Sequence, residues 1–249
     1  MSVWSKFADP GFSPMSVPCL GRLDSTAPMP ARLRPSAPIA ADAILVGDPG
    51  RALMLAQELL AQPKMSNHAR GLWGYTGVTH AGDELTIQST GMGGPSAAVV
   101  LADLAELGVE RAIRIGTCAS LGTLEPGDLL VVTEVQAVRG SFRTDNDRKE
   151  PQPDEEPTRG LIEALPDAHH GAVVSLDTLY RPERDLPSTL AEAADMQTAG
   201  LLAAAAEHEV AVAALLIVTE RSDSGQLQDE ELEEIAKQAG ATAAAVLSP

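Results

Sequence analysis

From residue 43 onward, short apolar runs alternate with stretches of helical spacing, and this alternation predicts most of the elements. Ala43-Ile-Leu-Val-Gly47 is an apolar run closed by Gly-Asp-Pro-Gly, the pattern of a buried strand followed by a tight turn. Arg51 to Gln62 has helical periodicity and stops before Pro63. Glu84 to Thr90 is strand-like, and Gly91-Met-Gly-Gly-Pro-Ser96 is a glycine-rich turn opening a helix from Ala97 to Leu107. Arg111 to Ile115 is a short strand ended by Gly116; Leu129 to Gln136, Ala172 to Leu176 and Val210 to Thr219 are further strands. Long helices are expected over Leu190 to His208 and Asp229 to Leu247. The charge- and proline-dense stretch Arg143 to Gly160 reads as an exposed loop. Together these predict one α/β domain over residues 38–249, with a central mixed, largely parallel sheet flanked by helices on both faces. Residues 1–37, rich in Pro and Ser and without periodicity, read as an irregular leader; Met15 and Met29 are alternative starts.

Composition narrows the picture. Hydrophobic residues make up 44% of the 249 but aromatics only 3%, so the core must be built from Ala, Val, Leu and Ile. The formal net charge of -17 would repel a phosphate backbone, which counts against nucleic acid, although a few local arginines can still hold a small anion. Cys19 and Cys118 make no disulfide framework, and the five histidines have no metal-ligand spacing. With no apolar run near the roughly 20 residues of a membrane span and no charged-then-apolar start, a cytoplasmic protein without membrane partner, metal or cofactor is expected.

Three segments carry candidate chemistry. In Gly47-Asp48-Pro49-Gly50-Arg51, glycines let backbone amides approach an anion, a helix N-terminus follows, and an arginine supplies a forked charge; a plain turn is the alternative. Ser89-Thr-Gly-Met-Gly-Gly-Pro-Ser96 can cradle phosphate or serve close helix–strand packing, and it matches neither the lysine-bearing P-loop nor the dinucleotide fingerprint. In Arg114-Ile-Gly-Thr117-Cys-Ala-Ser120 an arginine ends an apolar strand, where it points to an anion in the crevice or to a salt bridge with a buried carboxylate.

In combination these segments resemble the nucleoside phosphorylase family of the hexameric purine nucleoside phosphorylases and the uridine phosphorylases. The resemblance runs from about Pro38 to the C-terminus and is strongest over Ser89 to Gly122, while Arg70-Gly-Leu-Trp-Gly-Tyr-Thr-Gly77 is similar to the purine branch. It implies phosphorolysis of a nucleoside to free base and (deoxy)ribose 1-phosphate, with inorganic phosphate as co-substrate. By the same resemblance Gly47, Arg51, Arg114 and Thr117 hold phosphate. Arg70 is lent to a neighbouring subunit's phosphate site, so a dimer-based homo-oligomer, in this family usually a hexamer, is implied. Asp195-Met196-Gln197 falls where the family has Glu-Met-Glu, which holds the ribose hydroxyls. Thr219-Glu220 falls where purine enzymes have Ser-Asp, whose aspartate protonates the purine N7; for that chemistry the acid's pKa must be raised by burial.

This chain departs from the family on the nucleoside side. Gln197 replaces a carboxylate, so weaker ribose binding or an altered sugar preference is expected. Asp195 is shorter than the family's glutamate, and Glu220 is longer than its aspartate. Ala31-Arg-Leu-Arg34 lacks the family's ribose-contacting histidine, and Leu179 replaces a base-stacking phenylalanine beside Tyr180. Glu183-Arg184 resembles the uracil-holding Gln-Glu-Arg of uridine phosphorylases, and Glu220-Arg221-Ser222 can be laid over their Asn-Arg-Thr. The balance favours purine. A nucleosidase and a non-catalytic nucleoside-binding protein are the rival readings; the three retained arginines argue against the first, since water needs no cationic cradle. Arg114→Ala is expected to abolish phosphate dependence and leave the fold intact.

Overall fold

Residues 31–137, 151–178 and 191–248 are described by the computed structural model. The apolar runs become ten strands of one sheet: β1 (Asp42–Val46), β2 (Lys64–Asn67), β3 (Gly74–Val78), β4 (Glu84–Ser89), β5 (Arg111–Ser120), β6 (Leu129–Ala137), β7 (His169–Ser175), β8 (Ala193–Asp195), β9 (Ala211–Arg221) and β10 (Gly225–Gln226). Five helices join them: α1 (Pro49–Leu59), α2 (Gly94–Glu106), α3 (Glu155–Ala164), α4 (Thr198–His208) and α5 (Asp229–Leu247).

The sheet is mixed, and it closes on itself. Strands β1–β4, β1–β5, β5–β9, β6–β7 and β7–β8 pair in parallel, whereas β2–β3, β3–β4, β5–β8, β6–β9 and β9–β10 are antiparallel. The two kinds are equal in number, but the longest ladders, β5–β9 and β6–β7, are parallel. Because β9 pairs with both β5 and β6, the strands β5, β9, β6, β7 and β8 form a closed circuit, from which β1, β4, β3 and β2 extend as an arm. Nothing in the hydrophobic pattern distinguishes an open sheet from one whose long, twisted strands bring its edges together.

Strand β5 has two successive neighbours on one edge. It pairs with β1 from Arg111 to Ile115 and with β8 at Ala119 and Ser120. Between them Gly116, Thr117 and Cys118 have no strand partner on that edge, although β9 still pairs along the other. The sheet forks there. Such forks, at the carboxyl ends of parallel strands, are where open crevices form.

Alternate residues of the central strands face two apolar clusters. Ala43, Leu45, Ala112, Ala214 and Leu216 pack with Val100, Leu101 and Leu104 of α2 and Leu201 and Leu202 of α4. Ile44, Val46, Ile113, Ile115, Leu215 and Ile217 pack with Leu55 of α1, Leu161 of α3 and Ala236, Ala239 and Ala243 of α5. Strands covered on both sides need continuous rather than alternating apolar runs, which is how β1 and β9 read. Helix α5 starts with a capping box between Gln228 and Glu231 and carries Asp229, Glu230 and Glu231 in its first turn, where carboxylates complement the helix dipole.

Four expectations are revised. The helix expected from Leu190 begins only at Thr198, because Ala193–Asp195 are drawn into the sheet as β8 between β7 and β5, overriding their helical propensity. Within the expected loop Arg143 to Gly160, α3 starts at Glu155 behind the cap Asp154, whose side chain accepts from Glu156 N; residues 143–150 lie outside the described residues. The antiparallel pair β2–β3 was not expected, its short polar edge strand and two glycines giving little β signal. The β5 strand runs past Gly116 to Ser120. Upstream of β1, residues 31–37 form no helix or strand, yet Leu33 is buried and Ser36 N donates to Ser66 O at 2.7 Å.

Candidate active site

At the fork lies a cavity of about 380 Å³. Its walls come from four distant segments: Gly47 to Arg51 after β1, Gly91 to Gly93 before α2, Arg114 to Thr117 of β5, and Asp195 to Gln197 after β8. The structure thus brings together Gly47, Arg51, Arg114, Thr117, Met196 and Gln197 around one space.

Arg114 is the centre of the wall, and it is nearly fully buried at 4% exposure. Its Nη2 donates to Asp195 Oδ2 at 3.1 Å, its Nη1 to Gln197 Oε1 at 2.6 Å, and its Nε to Thr198 Oγ1 at 3.3 Å. Both sequence alternatives for this arginine therefore hold at once: it pairs with a buried carboxylate and lines a crevice. Three of the five N–H groups of a guanidinium are committed, leaving two for a ligand. Asp195 is itself held, accepting from Ser175 Oγ at 2.5 Å, Thr198 Oγ1 at 2.6 Å and Thr198 N at 2.9 Å. The same Ser175 Oγ accepts from Ala199 N at 2.9 Å, so the start of α4 is capped by the network that anchors the arginine.

Gly116 makes this placement possible. A Cβ at this position would lie 2.5 Å from Arg114 Nη2 and 2.7 Å from Leu216 Cδ2, so the Arg-Ile-Gly order reflects steric need. Across the cavity, Gly91 and Gly93 adopt φ of 72° and 82°, values that favour glycine. They turn the chain into α2, whose N-cap Gly93 offers no side chain to its first turn. Ser96 Oγ donates to Thr90 O at 2.6 Å, and a Cβ on Gly91 would lie 2.7 Å from that hydroxyl. The glycine-rich turn serves both close packing and the cavity wall.

Arg51 presents a different case. No hydrogen-bond or ion-pair partner is found for its guanidinium among the described residues. Burial, above all, lowers its pKa from the ordinary arginine value; the neighbouring charge of Arg114 adds to the lowering, while Asp48 and Glu233 oppose it. Two guanidiniums that repel each other beside a cavity are a standing attraction for an anion. The start of α1 contributes less than its sequence suggested. Asp48 Oδ1 accepts from Arg51 N at 2.7 Å and Pro49 has no N–H, so this helix end is largely satisfied from within.

Other expected residues lie elsewhere. Arg70 is exposed in a short 3-10 turn (Ala69–Gly71), with φ 61° and ψ 16°, and does not line the cavity. Glu220 stands on β9 opposite Ala119, two positions beyond Thr117. It is only half-buried and its Oε2 accepts from Gln226 Nε2 at 3.1 Å, so the burial expected of a proton donor is incomplete. Arg221 is tied to Asp223 at 2.5 Å and to Glu125; first the Asp223 hydrogen bond and then the carboxylate charges raise its pKa. Tyr180 and Arg184 lie outside the described residues. Sequence reading missed Ser175 and Thr198 as parts of the site, and named Thr90 only within the glycine-rich motif. Each is a hydroxyl residue directly ending a buried strand or opening a helix, the one signal available for them.

A family model described as the phosphorylase superfamily matches residues 42–249. Among relatives, a DeoD-type purine nucleoside phosphorylase of Caldanaerobacter subterraneus subsp. tengcongensis is 32% identical over 209 residues, 78% of this chain and 88% of its own length. A guanosine phosphorylase of Halorubrum lacusprofundi is 34% identical over 149 residues, 55% of this chain and 59% of its own. Among solved structures, the purine nucleoside phosphorylase of Toxoplasma gondii in complex with immucillin-H has a TM-score of 0.71 at 22% identity, covering 84% of this chain and 92% of that one; the likeness is one of fold.

Proposed function

Since this chain belongs to the phosphorylase superfamily, within its nucleoside phosphorylases, we propose that it splits a purine nucleoside with inorganic phosphate, releasing free base and ribose 1-phosphate. The carrying observation is the pair of guanidiniums in one cavity, Arg114 braced by Asp195 and Arg51 unpartnered among the described residues. A preorganised cationic wall stabilises the phosphate and, through it, the oxocarbenium character that develops as the glycosidic bond lengthens. Gly47 and Thr117 complete the phosphate side. Uridine is the less favoured substrate, the relatives being purine and guanosine enzymes.

On the nucleoside side, Met196 is the candidate for the sugar, and Tyr180 and Arg184 are the candidates for the base. Glu220, assisted by Arg221, is the candidate proton donor to the leaving base, and its bond to Gln226 must give way for that transfer. Arg70, exposed and held in a left-handed turn, suits a contribution to a neighbouring subunit in a homo-oligomer. Phosphate is the sole co-substrate in this reading, with no cofactor. A cytoplasmic setting belongs to the same reading; no helix among the described residues is long and apolar enough to cross a membrane.

Incubation with inosine and with uridine, each with and without phosphate, tests the reading. Phosphate-dependent ribose 1-phosphate from inosine is expected. Phosphate-independent free ribose would make the chain a nucleosidase, and binding of inosine without turnover would make it a non-catalytic nucleoside binder.

A further inference from the structure

Gln197 is 4% exposed, and its amide has only one possible orientation. On one side Oε1 faces Arg114 Nη1, a group that can only donate, at 2.6 Å. On the other Nε2 donates to the Gly91 carbonyl, a group that can only accept. Thr90 Oγ1 lies 3.3 Å from the same Oε1 and 3.0 Å from Val46 O, so its single proton is shared between them. The amide also lies over Gly47, where a Cβ would come 3.8 Å from Oε1 and 3.9 Å from Nε2.

We propose that Gln197 is a positioning residue for the anion, fastening Arg114 to the glycine-rich turn, rather than an acceptor for the sugar. It joins three of the four wall segments through one planar group. Its acceptor oxygen is spent on Arg114 and Thr90, and only one amide N–H remains for any ligand. A carboxylate at this position would set an oxygen against the Gly91 carbonyl, two acceptors with no proton between them, and release the turn. It would also add a negative charge beside Arg114 and weaken the pull on an incoming anion. Glutamine, with one acceptor and one donor end, fits both partners where a carboxylate would not.

This inference rests on the cavity being a phosphate site, so its test reads phosphate directly. Phosphate affinity is measured by calorimetry on the full chain and on Gln197→Glu and Gln197→Met, alongside KM for phosphate and for inosine; circular dichroism confirms folding. Both variants are expected to weaken phosphate about tenfold or more, the loss of a charge-assisted hydrogen bond and its geometry, with KM for inosine changed less than about threefold. Unchanged phosphate affinity, or phosphate and inosine constants that shift together as a merely structural defect would shift them, overturns the inference. Should the unaltered chain bind phosphate but turn over no nucleoside, the functional reading fails while the calorimetric comparison still decides the role of Gln197. If Gln197→Glu does not fold, Gln197→Met, which introduces no charge, carries the comparison.

Discussion

The Nη2 atom of Arg114 lies 3.1 Å from Oδ2 of Asp195, in an ion pair whose side chains are 5% and 0% exposed. A pair so thoroughly removed from water is held together by what it costs to separate. Removing one partner strands the other charge, a loss of about 3–5 kcal/mol. Arg114→Ala should thus destabilise the chain as well as abolish phosphate dependence, a revision of the intact fold expected from sequence. The double variant Arg114→Ala/Asp195→Asn should recover part of that stability, because no uncompensated carboxylate remains. Urea unfolding of the four proteins in the cycle checks this; single effects that simply add to within about 0.5 kcal/mol would show that the pair is not coupled.

Arg51 should behave in the opposite way. Its guanidinium pays for burial without a partner among the described residues and is repelled by Arg114. Arg51→Met is expected to leave thermal stability unchanged or slightly raised, and to raise KM for phosphate roughly 10- to 100-fold, the worth of a charged hydrogen bond. A variant that loses stability while keeping its KM for phosphate would place Arg51 in the fold and outside the site.

Gly116→Ala puts a methyl group 2.5 Å from Arg114 Nη2 and 2.6 Å from its Cζ. The guanidinium is held by three acceptors and Leu216 is fully buried, so a shift of either disturbs existing contacts. Overpacking of this kind costs about 1–3 kcal/mol, and displacement of Arg114 should weaken phosphate as well. Phosphate titrations and thermal melts on the variant provide the check; full phosphate affinity would show that Arg114 tolerates a shifted position.

Cys118 supplies a pH dependence. Burial above all, with Asp195 adding and Arg114 opposing, pushes its thiol from an ordinary value of 9.0 up to about 12. The unfolded chain gives up this proton near pH 9 while the folded chain keeps it. Between those values the folded state binds more protons, so stability is complete below pH 9 and falls as pH rises, by about 1.4 kcal/mol per pH unit from this group. The difference in unfolding free energy between the unaltered chain and Cys118→Ala should therefore shrink between pH 9 and pH 11. A constant difference across that range would be evidence that the thiol titrates normally.

How much of this could be read beforehand follows from which interactions are local. Strands β1 and β9 were legible because they are covered on both sides and read as unbroken apolar runs, and α1 because Pro49 and Pro63 bracket its periodicity. Strand β8 was not, since Ala193–Asp195 have helical propensity and become a strand only through β5 and β7. Gly47, Arg51, Arg114 and Thr117, grouped from the sequence by resemblance, do line one cavity. What held Arg114 in place was out of reach: Asp195 and Gln197 lie 81 and 83 residues further along the chain, and they meet Arg114 only after the circuit of strands has closed. The expected burial of Glu220 failed for a related reason, because β9 outruns its cover and ends in a hairpin with β10.

The change of neighbour along β5 has one more implication. Where β1 no longer covers β5, Gly116 and Thr117 lie open to the cavity they line. Loops around the rim can be exchanged, and with them the preference for one ligand over another, while the place where chemistry happens stays put. The pairing of β1 with β5 stops at Ile115, one residue short of Gly116, so the end of a five-residue strand marks where the cavity wall begins along β5.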